Sequence, residues 1–296
     1  MTSDRFARMS HNRGMKNLLI IGCGDIAQRT IPLLSGHFHL YALVRDPARC
    51  ASLRSMGVTP IVGNLDQRCS LHRLTGLAQV VLHLAPPDGR GGQDGRTRNL
   101  LATLAQSTPP TRLVYISTSG VYGDCAGARV DETRPLHAQT RRAQLRVSAE
   151  RQIRAWAVRN RVHASILRVP GIYAAERLPL ERLRAGLPAI RAAEDGYSNH
   201  IHADDLARTI VAALRHARPN RVYHAVDDDE MKMGAYFDAV ADAYGLPRPP
   251  RLSRIEVKQQ VSPMMWSFMN ESRRLNNSRM KRELKVKLRH PKLALR

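Results

Sequence analysis

Apolar residues in this chain fall in short unbroken runs, not in strict alternation with polar ones. The runs cover residues 17–21, 39–44, 59–62, 80–84, 113–117, 165–169 and 222–226, and longer stretches with helical spacing separate them. Unbroken apolar runs belong to strands that are covered on both faces. With helices between them they predict an α/β fold built on a doubly wound parallel sheet. Beyond about Gly171 the pattern changes to short segments rich in Pro, Arg and Leu, such as 177–188 and 247–263. We therefore expect a sheet domain over 15–170 and a smaller C-terminal cap over 171–296, with a strand near 222–226 returning to the sheet. Residues 1–14 are polar and basic without apolar periodicity, which predicts a loose leader; translation from Met15 is the open alternative.

Composition narrows the class of protein. A chain of 296 residues can bury a sizeable core without staples, and 43% hydrophobic with 24% charged residues excludes a disordered or fibrous chain. No apolar run approaches the ~20 residues that cross a bilayer, so no membrane partner is expected. The four cysteines, Cys23, Cys50, Cys69 and Cys125, form no Cys-x-x-Cys pair, which points to neither a zinc site nor a disulfide framework. Reduced thiols and a cytoplasmic location are the expectation.

The net charge of +22 is unusual, and 40 of the 47 basic residues are arginine. Such a surplus attracts nucleic acid, anionic lipid or phosphorylated metabolites without choosing among them. The arginines are scattered, and aromatics make up only 5% of the chain, which argues against a base-stacking surface. Nucleic-acid binding rests on charge alone, and steep loss of affinity with salt would be its signature.

The first apolar run ends in Gly22-Cys23-Gly24-Asp25-Ile26-Ala27 and opens a helical stretch. In a Gly-x-Gly-x-x-Ala turn the first glycine permits the tight bend, and the second lets backbone amides approach a pyrophosphate. The alanine lets the helix pack close to the strand, with its N-terminus facing the anion. Gly22, Gly24, Asp25, Ile26 and Ala27 are thus candidate cofactor residues. The second run ends in Val44-Arg45-Asp46, with Arg49 one turn later. A basic residue there suits the 2′-phosphate of NADP and an acidic one the ribose of NAD. Arg45 and Arg49 favour NADP, and NAD stays open through Asp46. Asn64 and Leu65, after the third run, are placed to flank the adenine.

Three further stretches carry a resemblance: Val114-Tyr115-Ile116-Ser117-Thr118-Ser119-Gly120-Val121-Tyr122-Gly123, Leu167-Arg168-Val169-Pro170-Gly171-Ile172-Tyr173, and His200-Ile201-His202-Ala203-Asp204-Asp205-Leu206. With the glycine turn, they make the chain similar to extended and atypical short-chain dehydrogenase/reductases of the NAD-dependent epimerase/dehydratase family, from Met15 almost to the end. The resemblance implies a Rossmann-type domain and hydride transfer on a nucleotide-sugar-like or other small hydroxyl or carbonyl substrate. It places Pro170 beside the cofactor. It also implies that Thr118, with Ser119 beside it, bonds the reacting hydroxyl; a hydroxyl that merely caps the strand end is the competing reading.

The family's general acid/base is a tyrosine followed four residues later by lysine, and no tyrosine of this chain has that partner. Counting back from Glu150 puts Arg142 at the tyrosine position and Arg146 at the lysine position. Arg146 can bind the nicotinamide ribose, but a guanidinium is not a base near neutral pH. Tyr122, Tyr173 and His137 are the replacement candidates for proton transfer. A protein that binds NADP(H) without turnover, as a sensor or scaffold, is the alternative.

His200-x-His202-x-Asp204 has the alternation of a metal site. The resemblance instead gives His202 and Asp205 a bracing role between sheet and cap, and no metal is expected. Arg177, Arg182, Arg184, Arg273 and Arg274 are candidate anchors for a phosphorylated substrate. A homodimer through two long helices, common in similar proteins, is an open expectation.

Overall fold

The computed structural model describes residues 14–89 and 91–295. The leader expected over 1–14 lies, apart from Gly14, outside the described residues. The sheet strands, in chain order, are β1 (Asn17–Ile21), β2 (His39–Val44), β3 (Val58–Val62), β4 (Val80–His83), β5 (Arg112–Thr118), β6 (His163–Val169) and β7 (Arg221–His224). They form one seven-stranded sheet in the order β7-β6-β5-β4-β1-β2-β3, with every neighbouring pair parallel. All seven expected strands are present. β1 and β2 have the expected ends and the others differ by one or two residues; at β7 apolar burial outlasts the hydrogen-bond ladder, since Ala225 and Val226 are buried although the strand stops at His224.

Helices connect and cover the strands: α1 (Asp25–Leu34), α2 (Cys50–Ser55), α3 (Gly95–Leu104), α4 (Arg141–Asn160), α5 (Leu180–Arg184), α6 (Ala203–His216), α7 (Met233–Ala243), α8 (Arg254–Gln260), α9 (Pro263–Met269) and α10 (Ser278–Leu284). Alternate strand residues point to opposite faces. Leu18 and Ile20 of β1 accordingly pack with Ile31 and Leu34 of α1 and Ile210 of α6. Leu19 and Ile21 pack on the other face with Leu100 and Leu104 of α3 and Ile153 and Trp156 of α4. Both faces are dry, which is why the apolar runs are unbroken. A third apolar cluster, with Leu183, Ile190, Phe237, Val240, Val257 and Met269, gathers the C-terminal helices.

Local chemistry sets the helix starts. The Asp94 carboxylate accepts the amides of Arg96 and Thr97 ahead of α3, and Thr140 Oγ1 accepts the Ala143 amide ahead of α4. Inside the sheet lies a buried polar network. Arg168 of β6 donates twice to Glu150 of α4, at 2.7 and 3.1 Å, and Ser117 Oγ donates to the same carboxylate at 2.6 Å. A further Arg168 nitrogen donates to the Tyr122 hydroxyl at 2.7 Å, and that hydroxyl lies 2.6 Å from His224 Nε2 of β7. Among the described residues, no helix is long and apolar enough to cross a membrane.

Candidate functional site

β1 pairs with β4 on one side and β2 on the other, so the connections leave it in opposite directions and open a crevice at its C-terminal end. The glycine turn sits there. Gly22 has φ +96°, and a Cβ on it would lie 2.6 Å from the Ala85 amide nitrogen. Leu84 and Ala85 both donate to the Ile21 carbonyl, holding the chain after β4 against the turn. Around a Cβ at Gly24, by contrast, nothing lies within 4 Å. That open space in front of the α1 N-terminus is the cradle a diphosphate requires.

A cavity of about 450 Å³ continues from the turn over the ends of β2 and β3, lined by Gly22, Arg45, Asp46, Arg49, Asn64 and Leu65 among others. Arg49 donates to the Cys23 carbonyl, tying the segment after β2 to the turn. The Asp46 carboxylate accepts the Ala48 amide at 3.0 Å. Asn64 Oδ1 accepts the Asp66 amide, and Ser70 Oγ accepts the Asn64 amide, which fixes the loop after β3. Asp25 pairs with Arg29 at 2.9 Å and Arg177 at 3.0 Å. Burial pushes its carboxyl up, but the hydrogen bonds from both arginines outweigh this and hold it below the usual range.

A glycine turn at the switch point of a doubly wound sheet, opening on a cavity lined by backbone and arginine, is a dinucleotide site, and a family model described as NAD(P)H-binding matches residues 22–217. The chain belongs to this NAD(P)H-binding family. Several solved structures share the fold. One is a functionally unknown conserved protein from Silicibacter pomeroyi, with 29% identity over 94% of this chain and 95% of that one, at a TM-score of 0.75. Another is UDP-glucose 4-epimerase from Thermotoga maritima, solved with UDP-glucose, with 15% identity over 92% and 94% of the chains at a TM-score of 0.75. A third is UDP-glucuronic acid 4-epimerase from Bacillus cereus in complex with NAD, with 17% identity over 94% of each chain at a TM-score of 0.73. No curated protein matches the chain in sequence.

Around the NAD(P)H-binding crevice the structure joins Gly22, Arg45, Arg49, Asn64 and Leu65 on one cavity. Gly24, Asp25, Ile26 and Ala27 form the adjoining start of α1, where Ala27 is fully buried against the sheet. Ala85, Pro86 and Arg96 of the cavity wall were among those not anticipated. The first two follow β4, so the strand order predicts their place once β4 is known to lie beside β1. Arg96 carries no local signal. It arrives from α3, braced by two hydrogen bonds to Asp66 at 2.7 and 2.8 Å and one to the Pro86 carbonyl at 3.2 Å.

The proton-transfer candidates fare differently. Thr118 Oγ1 accepts the Gly120 amide at 3.2 Å, so it caps the turn after β5, and its own hydrogen is left to donate. Ser119 is nearly buried beside it. Tyr122 is 1% exposed, and its hydroxyl is enclosed by Arg168 and His224. Burial pushes that phenol up to about 12, and the group serves the internal network. The Tyr173 hydroxyl likewise donates to the Lys292 carbonyl and accepts the Ala294 amide. His137 is exposed on the loop before α4.

Arg146 donates to the Ile116 carbonyl at 2.6 Å and to the Tyr115 hydroxyl at 3.0 Å, so its guanidinium is braced against the end of β5. Pro170 is half-buried just past β6. Arg142 lies over the Phe268 ring, 4.3 Å from its centroid.

Of the cap arginines, Arg177 is paired with Asp25. Arg182 is buried over Phe237, and Arg273 donates to the Gly123 carbonyl and to Glu271. Arg274 donates to the Gly127 carbonyl and stacks on Tyr197. Arg182 and Arg273 are buried, Arg274 is half-buried and Arg177 is exposed.

The expected trio also regroups. His200 stacks on Tyr236 and contacts Ser198, whereas His202, Asp204 and His290 come together. His202 Nδ1 accepts the Asp204 amide to cap α6, and Arg29 occupies the Asp204 carboxylate. Asp205, fully buried, accepts the amides of Arg289 and His290 and so fastens the C-terminal segment.

Proposed function

We propose that this chain is an NADP(H)-dependent oxidoreductase of the epimerase/dehydratase type, acting on a nucleotide-sugar-like or other small hydroxyl or carbonyl compound held under residues 171–296. The observation that carries this reading is the cavity at the end of β1 and β2, with an open cradle at Gly24 and Arg45 and Arg49 on its wall. These residues fit the cofactor. The amides at Gly24 to Ile26 would hold the diphosphate, Arg45 and Arg49 the 2′-phosphate, and Asn64 and Leu65 the adenine. When bound, the nicotinamide supplies or accepts a hydride. Thr118 would donate to the reacting oxygen, with Ser119 beside it, and Arg146 would hold positive charge near the ribose. Calorimetry with NADPH and NADH tests the reading: NADPH should bind more tightly, and no heat with either coenzyme would remove it.

A second reading, a dinucleotide-binding sensor without turnover, is favoured by one feature. Arg142 and Arg146 stand where the family's acid/base pair belongs, and the hydroxyls of Tyr115, Tyr122 and Tyr173 are engaged inside the protein. Incubation with NADPH and a panel of nucleotide sugars and carbonyl compounds separates the two. Product formation supports the enzyme, and tight binding with no turnover supports the sensor.

A further inference from the structure

Gly24 leaves the mouth of the diphosphate cradle open, and the next residue, Asp25, puts a carboxylate there at the start of α1. A carboxylate in the first turn suits the helix dipole, but it opposes any anion that the same helix end binds. An arginine answers each of its oxygens. Arg29, one turn along α1, donates from Nε to Oδ1 at 2.9 Å, and Arg177 donates from Nη1 to Oδ2 at 3.0 Å. Arg29 is committed, because its two terminal nitrogens bond Asp204 at the start of α6 and Glu176. Arg177 is not. A guanidinium carries several donor hydrogens, and among the described residues Asp25 takes the only side-chain hydrogen bond that Arg177 makes.

Arg177 reaches this place from the cap. Residues Gly171–Tyr173 pair in parallel with His200–His202, and the chain then turns through Ala175–Arg177, where the Arg177 amide donates to the Ala174 carbonyl at 2.9 Å. Glu176, held by Arg29, pins that turn against α1. Both members of the Arg177–Asp25 pair stay open to an incoming solute, with side-chain exposures of 36% and 34%. Arg45 and Arg49, by contrast, line the cavity over the ends of β2 and β3.

We propose that Arg177 is a cofactor-binding residue that the cap contributes to the diphosphate. Asp25 holds its guanidinium at the mouth of the cradle, and its remaining donors fork onto phosphate oxygens, for which a guanidinium has the matching shape. The proposal deepens the dinucleotide reading above and rests on it. A diphosphate adds negative charge to a cluster in which three carboxylates, Asp25, Glu176 and Asp204, already face two arginines, Arg29 and Arg177. Arg177 is the member with donors to spare. Its partner Asp25 adjoins Gly24, which puts the guanidinium at the cofactor's diphosphate and not at a phosphate of the substrate.

Calorimetry on the full chain reads the affinity. Arg177→Gln should weaken NADPH and NADH alike, each about tenfold, the cost of one hydrogen-bonded ion pair, so the ratio between the coenzymes should not move. Arg177→Lys, which keeps the charge without the fork, should lose less. Adenosine 2′-phosphate carries adenine, ribose and the 2′-phosphate but nothing for the cradle, and it should compete with NADPH equally well on wild type and Arg177→Gln. The loss caused by Arg177→Gln should persist when Asp25→Asn is also present, because the diphosphate and not Asp25 is the group left without its partner. Unchanged circular dichroism in both Arg177 variants shows an intact fold, as expected for an exposed side chain. Equal NADPH affinity in wild type and Arg177→Gln overturns the proposal. So does a loss that vanishes in the Asp25→Asn background, which would make Arg177 only the counter-ion of Asp25. A loss shared by adenosine 2′-phosphate, or a shifted coenzyme ratio, overturns it too, since neither arises at the diphosphate. In each of these cases the dinucleotide site stands; a wild type that takes up neither coenzyme removes the site and the role of Arg177 together.

Discussion

Gly22 and Gly24, with one residue between them, do unlike work in the crevice, and substitution separates them. Gly22 combines a left-handed φ with a backbone neighbour at 2.6 Å, so Gly22→Ala should destabilise the fold by about 1–3 kcal/mol as well as weaken cofactor binding. Gly24 has an ordinary φ and no neighbour, so Gly24→Val should leave the urea midpoint almost unmoved. It would instead place an isopropyl group where the diphosphate sits. Losing two charge-assisted hydrogen bonds at about 1.5 kcal/mol each predicts roughly hundredfold weaker dinucleotide binding by calorimetry. At Arg45 the expectation concerns selectivity. Arg45→Asp removes a partner for the 2′-phosphate and adds a carboxylate for a ribose hydroxyl, so preference for NADPH over NADH should fall about tenfold or more. A ratio that stays put would make Arg45 ordinary surface. The need for glycine at 22 was legible in the motif; its cause, the Ala85 amide, was not, because that neighbour is distant in sequence and arrives only when β4 pairs with β1.

Among the elements, what was legible follows from periodicity. Each strand shows both of its faces in its own run of residues, so burial on two sides can be read locally, and the strand order then locates the cofactor crevice. Side-chain partnerships between elements leave no such trace. Ser117, Glu150, Arg168, Tyr122 and His224 lie on β5, α4, β6, the turn after β5, and β7, and only the assembled sheet joins them. That is why Tyr122 read as a proton donor from the sequence and Arg182 as a phosphate anchor, although both are packed inside. The network also gives a prediction about stability. Glu150→Ala would leave the Arg168 guanidinium 3% exposed without its carboxylate, and breaking a buried pair from one side costs about 3–5 kcal/mol. Urea unfolding should show that loss. Glu150→Gln, which keeps the side-chain volume and an acceptor for Ser117 but not the charge, should recover only part of it; full recovery would mean that the loss in Glu150→Ala comes from volume and not from the unpaired guanidinium.

Across the whole molecule, buried ionisable groups set how stability responds to pH. Burial holds His83, His200 and His224 neutral, pulling them down to about 3, 4 and 3 from an ordinary 6.5. The unfolded chain takes up those three protons as pH falls below 6.5 and the native one does not, so stability declines toward acid. Asp227 acts in the opposite sense. Burial, reinforced by Asp229, Asp228 and Asp205, raises it from 3.8 to about 8. The native state then keeps a proton that the unfolded state has lost, and stability declines as pH rises toward 8. Below 6.5 the three histidines, joined by His202 and His216, which burial also lowers, outweigh the single aspartate; above 6.5 the aspartate leads, with the buried Cys23 thiol, which burial raises, adding in the same sense toward the alkaline end. Thermal unfolding across about pH 4.5 to 8.5 at fixed ionic strength should therefore give a maximum near the histidine value, with a steeper acid limb than alkaline limb. Asp227→Asn should flatten the alkaline limb and leave the acid limb in place. If the alkaline slope survives that substitution, Asp227 is ionised in the folded protein and the slope has another source.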